Sequence, residues 1–143
     1  MTRTLLTAIF LTLFTQTASA GNSIDGKGLF CPCVRQYERN CESPQIFEFV
    51  AGNWNHICIN VTQDIAIAEK CGENRYFSDS SMISSQLYKL DRSNLDLYFH
   101  NEKIPRWKCN RMTSSADEFD LELQQETNKR QKLYDKKLRD KKI

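Results

Sequence analysis

The chain has 143 residues, six of them cysteine, and its 20 Lys and Arg against 18 Asp and Glu leave a formal net charge of +2. That near-neutral balance lacks the basic footprint of a nucleic-acid-binding protein, so no nucleic-acid partner is expected. Two Trp, five Tyr and eight Phe supply enough bulk for one folded domain with a modest core.

The first twenty residues read as a cleavable export signal. Arg3 provides a short positive start, Leu5 to Phe14 is an apolar run too short for a comfortable membrane span, and Ala18-Ser19-Ala20 is a small-x-small cleavage site. No later stretch is long and apolar enough to be a membrane helix. The expectation is a signal over residues 1–20, a β-rich domain over 21–113 and a charged helix or tail over 114–143. The mature chain is expected to be periplasmic or secreted and monomeric. In such a compartment Cys31, Cys33, Cys41, Cys58, Cys71 and Cys109 are disulfide candidates.

Gly21 to Gly28 is polar and reads as a lead-in loop, with a turn signal at Asp25-Gly26. Leu29 to Val34 suits a short first strand, placed at an edge because Pro32 lacks a backbone donor. Gln45 to Ala51 and Trp54 to Val61 alternate apolar and polar residues around Gly52-Asn53, the strongest hairpin signal in the chain. Here Ile57, Ile59 and Val61 share one face, while Trp54, His56, Cys58 and Asn60 share the other. Asp64 to Lys70 fits a strand or a helical turn equally, and Cys71 to Ser81 is polar and reads as a loop. A second hairpin is expected over Ser84–Leu90 and Leu95–His100, turned by Asp91-Arg92-Ser93-Asn94. Trp107 to Arg111 suits a last edge strand behind Pro105.

From Ser115 the chain changes character. Ser115-Ala116-Asp117-Glu118 is a capping box, and acids lead while bases trail along the segment, as a helix dipole favours. A helix is expected from about Ala116 to about Lys137, with Phe119, Leu123, Tyr134 and Leu138 along one stripe. Its basic end is expected to fray. The expected core is Phe47, Phe49, Ile57, Ile59, Val61, Leu87, Leu95, Leu97, Phe99 and Trp107.

Three chemistries are open to these residues. As structural bridges, Cys58 joins Cys71, Cys31 or Cys33 joins Cys109, and the remaining thiol joins Cys41. As an alternative, the Cys31-Pro32-Cys33 motif is a thiol-redox centre, or supplies zinc ligands together with His56 and Cys58, although the spacing of its paired ligands is shorter than usual. No nucleophile elbow, phosphate loop or metalloprotease helix is present, so no enzyme activity and no cofactor are expected. His100 beside Glu102 reads as a solvated pair at a strand end. A further alternative is an inhibitor or effector of another secreted protein, acting through the Cys71–Ser81 loop.

Asp25-Gly26-Lys27-Gly28-Leu29-Phe30-Cys31-Pro32-Cys33 and Tyr88-Lys89-Leu90-Asp91-Arg92-Ser93-Asn94-Leu95-Asp96-Leu97 together resemble a group of short exported proteobacterial proteins of unknown function. They share a similar start, an LDR hairpin, a late Cys and a charged C-terminal helix. The resemblance covers about a fifth of the chain. It implies an exported β-rich domain, and it carries no activity or functional residue.

The resulting expectation is a mainly β (α+β) fold: a small disulfide-supported antiparallel sheet or half-barrel with a charged C-terminal helix. Its function is that of an exported binding or structural protein, whose partner is an envelope or extracellular protein or polymer.

Overall fold

The computed structural model describes residues 24–32 and 44–141. Nine strands and one helix follow in order: β1 (Lys27–Cys31), β2 (Gln45–Val50), β3 (Asn53–Thr62), β4 (Ile65–Arg75), β5 (Phe77–Ser78), β6 (Met82–Ser84), β7 (Tyr88–Asp91), β8 (Asp96–Phe99), β9 (Trp107–Lys108) and α1 (Ala116–Asp140). The protein is mainly β. Every strand pairs antiparallel with its sequence neighbour within two sheets, β1-β2-β3-β4 and β5-β6-β7-β8-β9.

The two sheets join at both corners. At one, β4 runs through Tyr76 directly into β5. The Tyr76 amide donates to the Gly52 carbonyl, and the Tyr76 hydroxyl donates to Asp25 at 2.7 Å. Burial, then the Asp25 hydrogen bond and charge, push the Tyr76 phenol up to about 12. At the other corner the chain leaving β9 runs along the free edge of β1. Amides of Lys108, Asn110 and Thr113 donate to the carbonyls of Pro32, Phe30 and Gly28. The result is an antiparallel meander of two sheets in which the free edge of β1 is covered.

The first sheet is covered on both faces. One face packs against the second sheet, where Leu29, Phe47, Phe49 and Trp54 meet Ile83, Tyr88, Leu90, Leu97 and Trp107. Ring contacts bind this core, with Tyr88 against Phe47, Trp54, Phe99 and Trp107. The other face, carrying Phe30, Ile46 and Ile57, receives Phe119 of α1, with Ile59, Ala68 and Leu123 alongside. Alternation along β1 therefore sends Leu29 and Cys31 into one core and Gly28 and Phe30 toward the other.

Several expectations shift by a residue or a face. The first hairpin turns on Ala51-Gly52, both left-handed, and Asn53 already pairs with Val50. The ambiguous Asp64–Lys70 segment is strand from Ile65, and the expected loop at Cys71–Ser81 is largely strand: β4 continues to Arg75 and β5 takes Phe77–Ser78. In the second hairpin the expected first strand breaks at Ser85–Leu87, where Ser85 Oγ accepts from the Leu87 and Tyr88 amides. Leu87 is therefore 52% exposed, not core, while Tyr88 and Leu90 point inward. The left-handed residue at its far turn is Leu95 (φ 61°), not Asn94. Asp91 does bond its own turn, through the amide and hydroxyl of Ser93. Trp54, which shares a face with His56, Cys58 and Asn60, and Ile46 are both almost wholly buried, because this sheet has no solvent face near its centre.

The helix begins as read. Ser115 accepts from the Glu118 amide at 3.2 Å, but the Glu118 carboxylate reaches one residue further back, to the amide and hydroxyl of Ser114. Arg111 pairs with Glu118 and Glu122 and ties the first turns to the strand before them. The helix extends to Asp140, beyond its expected end. Its second half is tied to the β3–β4 turn. Gln131 accepts from the Ala66 amide and donates to the Asp64 carbonyl, and the Tyr134 hydroxyl donates to the Asp64 carboxylate. That turn needs support, because Gln63 and Asp64 are both left-handed without being glycine.

Helix docking depends on Gly28. A Cβ placed there would lie 1.9 Å from the Phe119 ring, and Phe119 is 1% exposed. Gly28→Ala should destabilise the protein by about 2–3 kcal/mol through overpacking. Because the clash is with that one ring, Phe119→Ala should cost about 3–5 kcal/mol alone and less in the double variant than the two losses added. Urea melts of the three variants measure this coupling.

Ion pairing and hydrogen bonds hold Glu118 down at about 2, with the Arg111 hydrogen bond the largest cause and Ser114 next. A depressed carboxyl stabilises the fold above its ordinary value near 4.5 and loses that contribution as pH falls toward 2. Acid melts of Glu118→Gln should therefore show a shallower loss of stability across that window.

Candidate functional site: the outer edge of β3, the basic half of α1 and the Cys58–Cys71 bridge

Strand β3 is longer than its partner β2. Residues Asn53–Ile57 pair with β2, whereas the distal stretch from Cys58 to Thr62 pairs with β4 alone. Among the described strands, the opposite edge of that stretch is unpaired. Helix α1 passes over it and leaves a groove of about 390 Å³. Ile46, Ile57 and Ile59 give the groove an apolar floor, Leu133 an apolar wall, and Glu126, Lys129 and Arg130 a charged rim.

Charge along α1 is sorted by position. Asp117, Glu118, Asp120, Glu122 and Glu126 fall in its first half, and Lys129, Arg130, Lys132, Lys136, Lys137 and Arg139 in its second, where Asp135 and Asp140 are the acids among them. Within the acidic half, Glu118 and Glu122 pair with Arg111, and Glu118 also accepts from Ser114. The basic half faces solvent beside the groove: Lys129 pairs only with Glu126, at 3.5 Å, and Arg130 makes no ion pair among the described residues. Basic residues in the last turns also complement the negative end of the helix dipole.

On the other face of β3, His56 and Cys58 project side by side, as residues two apart on a strand do. Pairing with β4 slips here: Ile57 faces Lys70 and His56 faces Gly72, so Cys71 is the extra residue of a bulge. The bulge re-aims Cys71 toward Cys58, and the two form a disulfide. A Cβ at Gly72 would meet the His56 Cβ at 3.4 Å, an ordinary van der Waals contact. The imidazole stacks near Phe47 and Tyr88, with centroids 5.1 and 6.4 Å away. Burial holds its pKa below the ordinary histidine value, which favours the neutral ring. Ligand atoms of His56, Cys58 and Cys71 all lie within 4.8 Å of one another.

The second bridge joins Cys31 to Cys109 and fastens β1 to the chain leaving β9. Both of its sulfur-bearing residues are buried, at 0% and 2% exposure. Of the two partners open to Cys109, the structure therefore takes Cys31. Cys33 and Cys41 lie outside the described residues. The zinc set read from the sequence does not assemble as thiolates: Cys31 is bonded to Cys109, Cys58 is bonded to Cys71, and a disulfide sulfur is not a thiolate ligand. Among the described residues of that set, only His56 and Cys58 come together. The neighbour that joins them, Cys71, was not in it, because a bulge cannot be read from spacing.

Elsewhere, Glu102 is taken by Arg106, whose guanidinium also stacks 4.4 Å over Phe99, so His100 and Glu102 form no dyad. Asn60 is exposed and donates to Glu69. No helix among the described residues is long and apolar enough to cross a membrane. Comparison with protein-family models, with curated proteins and with solved structures finds no match for this chain.

The two bridges differ in access. Under limiting dithiol at neutral pH, Cys58 and Cys71 should be reduced and alkylated first, with Cys31–Cys109 closed until the fold is opened by denaturant. Peptide mapping after timed alkylation reads the order; simultaneous opening would show that burial does not protect the inner bridge.

Proposed function

We propose that this is an exported, non-enzymatic binding protein whose contact surface is the groove between the outer edge of β3 and the basic half of α1. The observation that carries this reading is the Cys58–Thr62 edge, unpaired among the described strands, floored by isoleucines and flanked by cations with few partners among the described residues. An unpaired strand edge offers main-chain donors and acceptors to an incoming extended segment, and alternate side chains of that segment drop onto the floor. The cationic flank selects for acidic side chains on the alternate positions. The preferred partner is therefore an extended polypeptide segment with alternating apolar and acidic residues. Two disulfides and an N-terminal segment of leader character support an exported setting.

A set of ten-residue peptides alternating Val or Ile with Glu provides the probe. Fluorescence anisotropy should show binding that weakens between about 50 and 200 mM salt, as screened rim charges require. Arg130→Glu and Leu133→Asp should each weaken it about tenfold or more, while Lys103→Glu, outside the groove, leaves it unchanged. Peptides that fail to bind, or that bind the groove variants as tightly as the parent, would overturn the assignment.

A further inference from the structure

The corner made by His56, Cys58 and Cys71 has a second chemistry. We propose that opening the Cys58–Cys71 bridge converts it into a site for zinc or a similar borderline-soft divalent cation, with His56, Cys58 and Cys71 as three ligands and a fourth position open to solvent.

Geometry carries the proposal. Strand alternation puts His56 and Cys58 on one face, and the bulge brings Cys71 to them, so one nitrogen and two sulfur donors lie within 4.8 Å of one another. Tetrahedral zinc holds sulfur at about 2.3 Å and imidazole nitrogen at about 2.0–2.1 Å, so released sulfurs need to part only to about 3.8 Å. Cys71, being the bulge residue, sits outside the ladder register and can give that movement without breaking a strand pair. The histidine is held ready for a ligand. Its ring is seated against Phe47 and Tyr88, and neither nitrogen has a hydrogen-bond partner among the described residues. A half-buried imidazole in that condition has its nitrogens free to act as ligands. Access differs from that of the inner bridge, since Cys71 is exposed and Cys58 partly so.

The step balances with a dithiol reductant. Two electrons and two protons pass from the dithiol to the Cys58–Cys71 bond, leaving two thiols and the reductant's own disulfide. Binding a divalent cation then releases the two thiol protons to solvent. In the oxidised chain the same sulfurs are closed to metal, so the bridge acts as the lock of the site.

Cobalt(II) is the probe, added under argon to the full mature chain before and after limited dithiol treatment and removal of the dithiol. The expected result is one cobalt bound per reduced chain, with a sulfur-to-cobalt charge-transfer band and tetrahedral visible bands, both abolished by one equivalent of zinc, and nothing bound by the oxidised chain. His56→Ala should weaken binding by more than about tenfold, and Cys71→Ser should remove most of the charge-transfer intensity. A Cys33→Ser/Cys41→Ser chain should behave as the parent, which excludes those two sulfurs as the source. A Cys58→Ala/Cys71→Ala chain, checked by circular dichroism, should keep the fold and bind no cobalt. Absence of the bands in a reduced chain that remains folded would overturn the proposal. So would bands indifferent to His56→Ala, equal binding by the oxidised chain, or unfolding of the Cys58→Ala/Cys71→Ala chain.

Discussion

Burial of one sheet on both of its faces is the constraint from which the rest of this structure follows. Strands β1 and β2 have no side to give to water at their centre, so their sequences are apolar on alternate and intervening positions alike: Leu29, Phe30 and Cys31, then Ile46, Phe47 and Phe49. A sheet in this position needs a cover on each side. The second sheet supplies one and the helix supplies the other. Gly28 marks the point where the helix comes closest, because only the absence of a Cβ admits the Phe119 ring. Thr113 completes the arrangement. It is fully buried, its hydroxyl accepts from the Gly28 amide and its own amide donates to the Gly28 carbonyl, so the chain is held to β1 immediately before the helix begins. The Cys31–Cys109 bridge fastens the same junction covalently.

Much of this was readable from local pattern, and what was not has a physical cause. Alternation around residues 45–61 marks a hairpin because period two survives there, and the Ser115 capping box marks the helix start because its chemistry is local. The extent of β4 was hidden. Residues 71–75 carry polar side chains at an exposed edge, where composition resembles a loop, and the bulge at Cys71 breaks the period. Leu87 misled for a related reason: a turn held by Ser85 shifts the alternation by one, which sends Tyr88 and Leu90 inward instead. The second half of α1 has a thin apolar stripe and was read as a fraying end. Its anchorage comes from Gln131 and Tyr134 capping a turn nearly seventy residues earlier, a long-range contact that no window of sequence contains. Disulfide partners were partly legible, since Cys58 and Cys71 flank one hairpin, whereas Cys109 needed the fold to choose Cys31.

The candidate surfaces were legible only in their ingredients. Basic residues at the end of the chain were visible, but the groove they flank exists because β3 outruns β2 and the helix crosses the part left over. His56 and Cys58 were visible as face-sharing neighbours, but their meeting with Cys71 depends on the bulge. The open edge lies on the distal part of the β3–β4 hairpin, past the pairing with β2, and the corner lies where that pairing ends, with His56 still against Phe47 and Tyr88. The same excess length that leaves an edge open for a partner also leaves the outer bridge accessible to a reductant. Stability and candidate function are thus separated along one hairpin: its near half is core, and its far half is surface held in place by the helix.

The central claim is that α1 is the third layer of the domain rather than an appended tail. Native-state hydrogen exchange of the full chain tests it most directly. Amides from Phe119 to Tyr134, together with the Ala66 amide that donates to Gln131, are expected to be protected to a degree comparable with the strand amides of β2 and β3. Exchange of the helix at the rate of an unanchored peptide, while β2 and β3 stay protected, would contradict it.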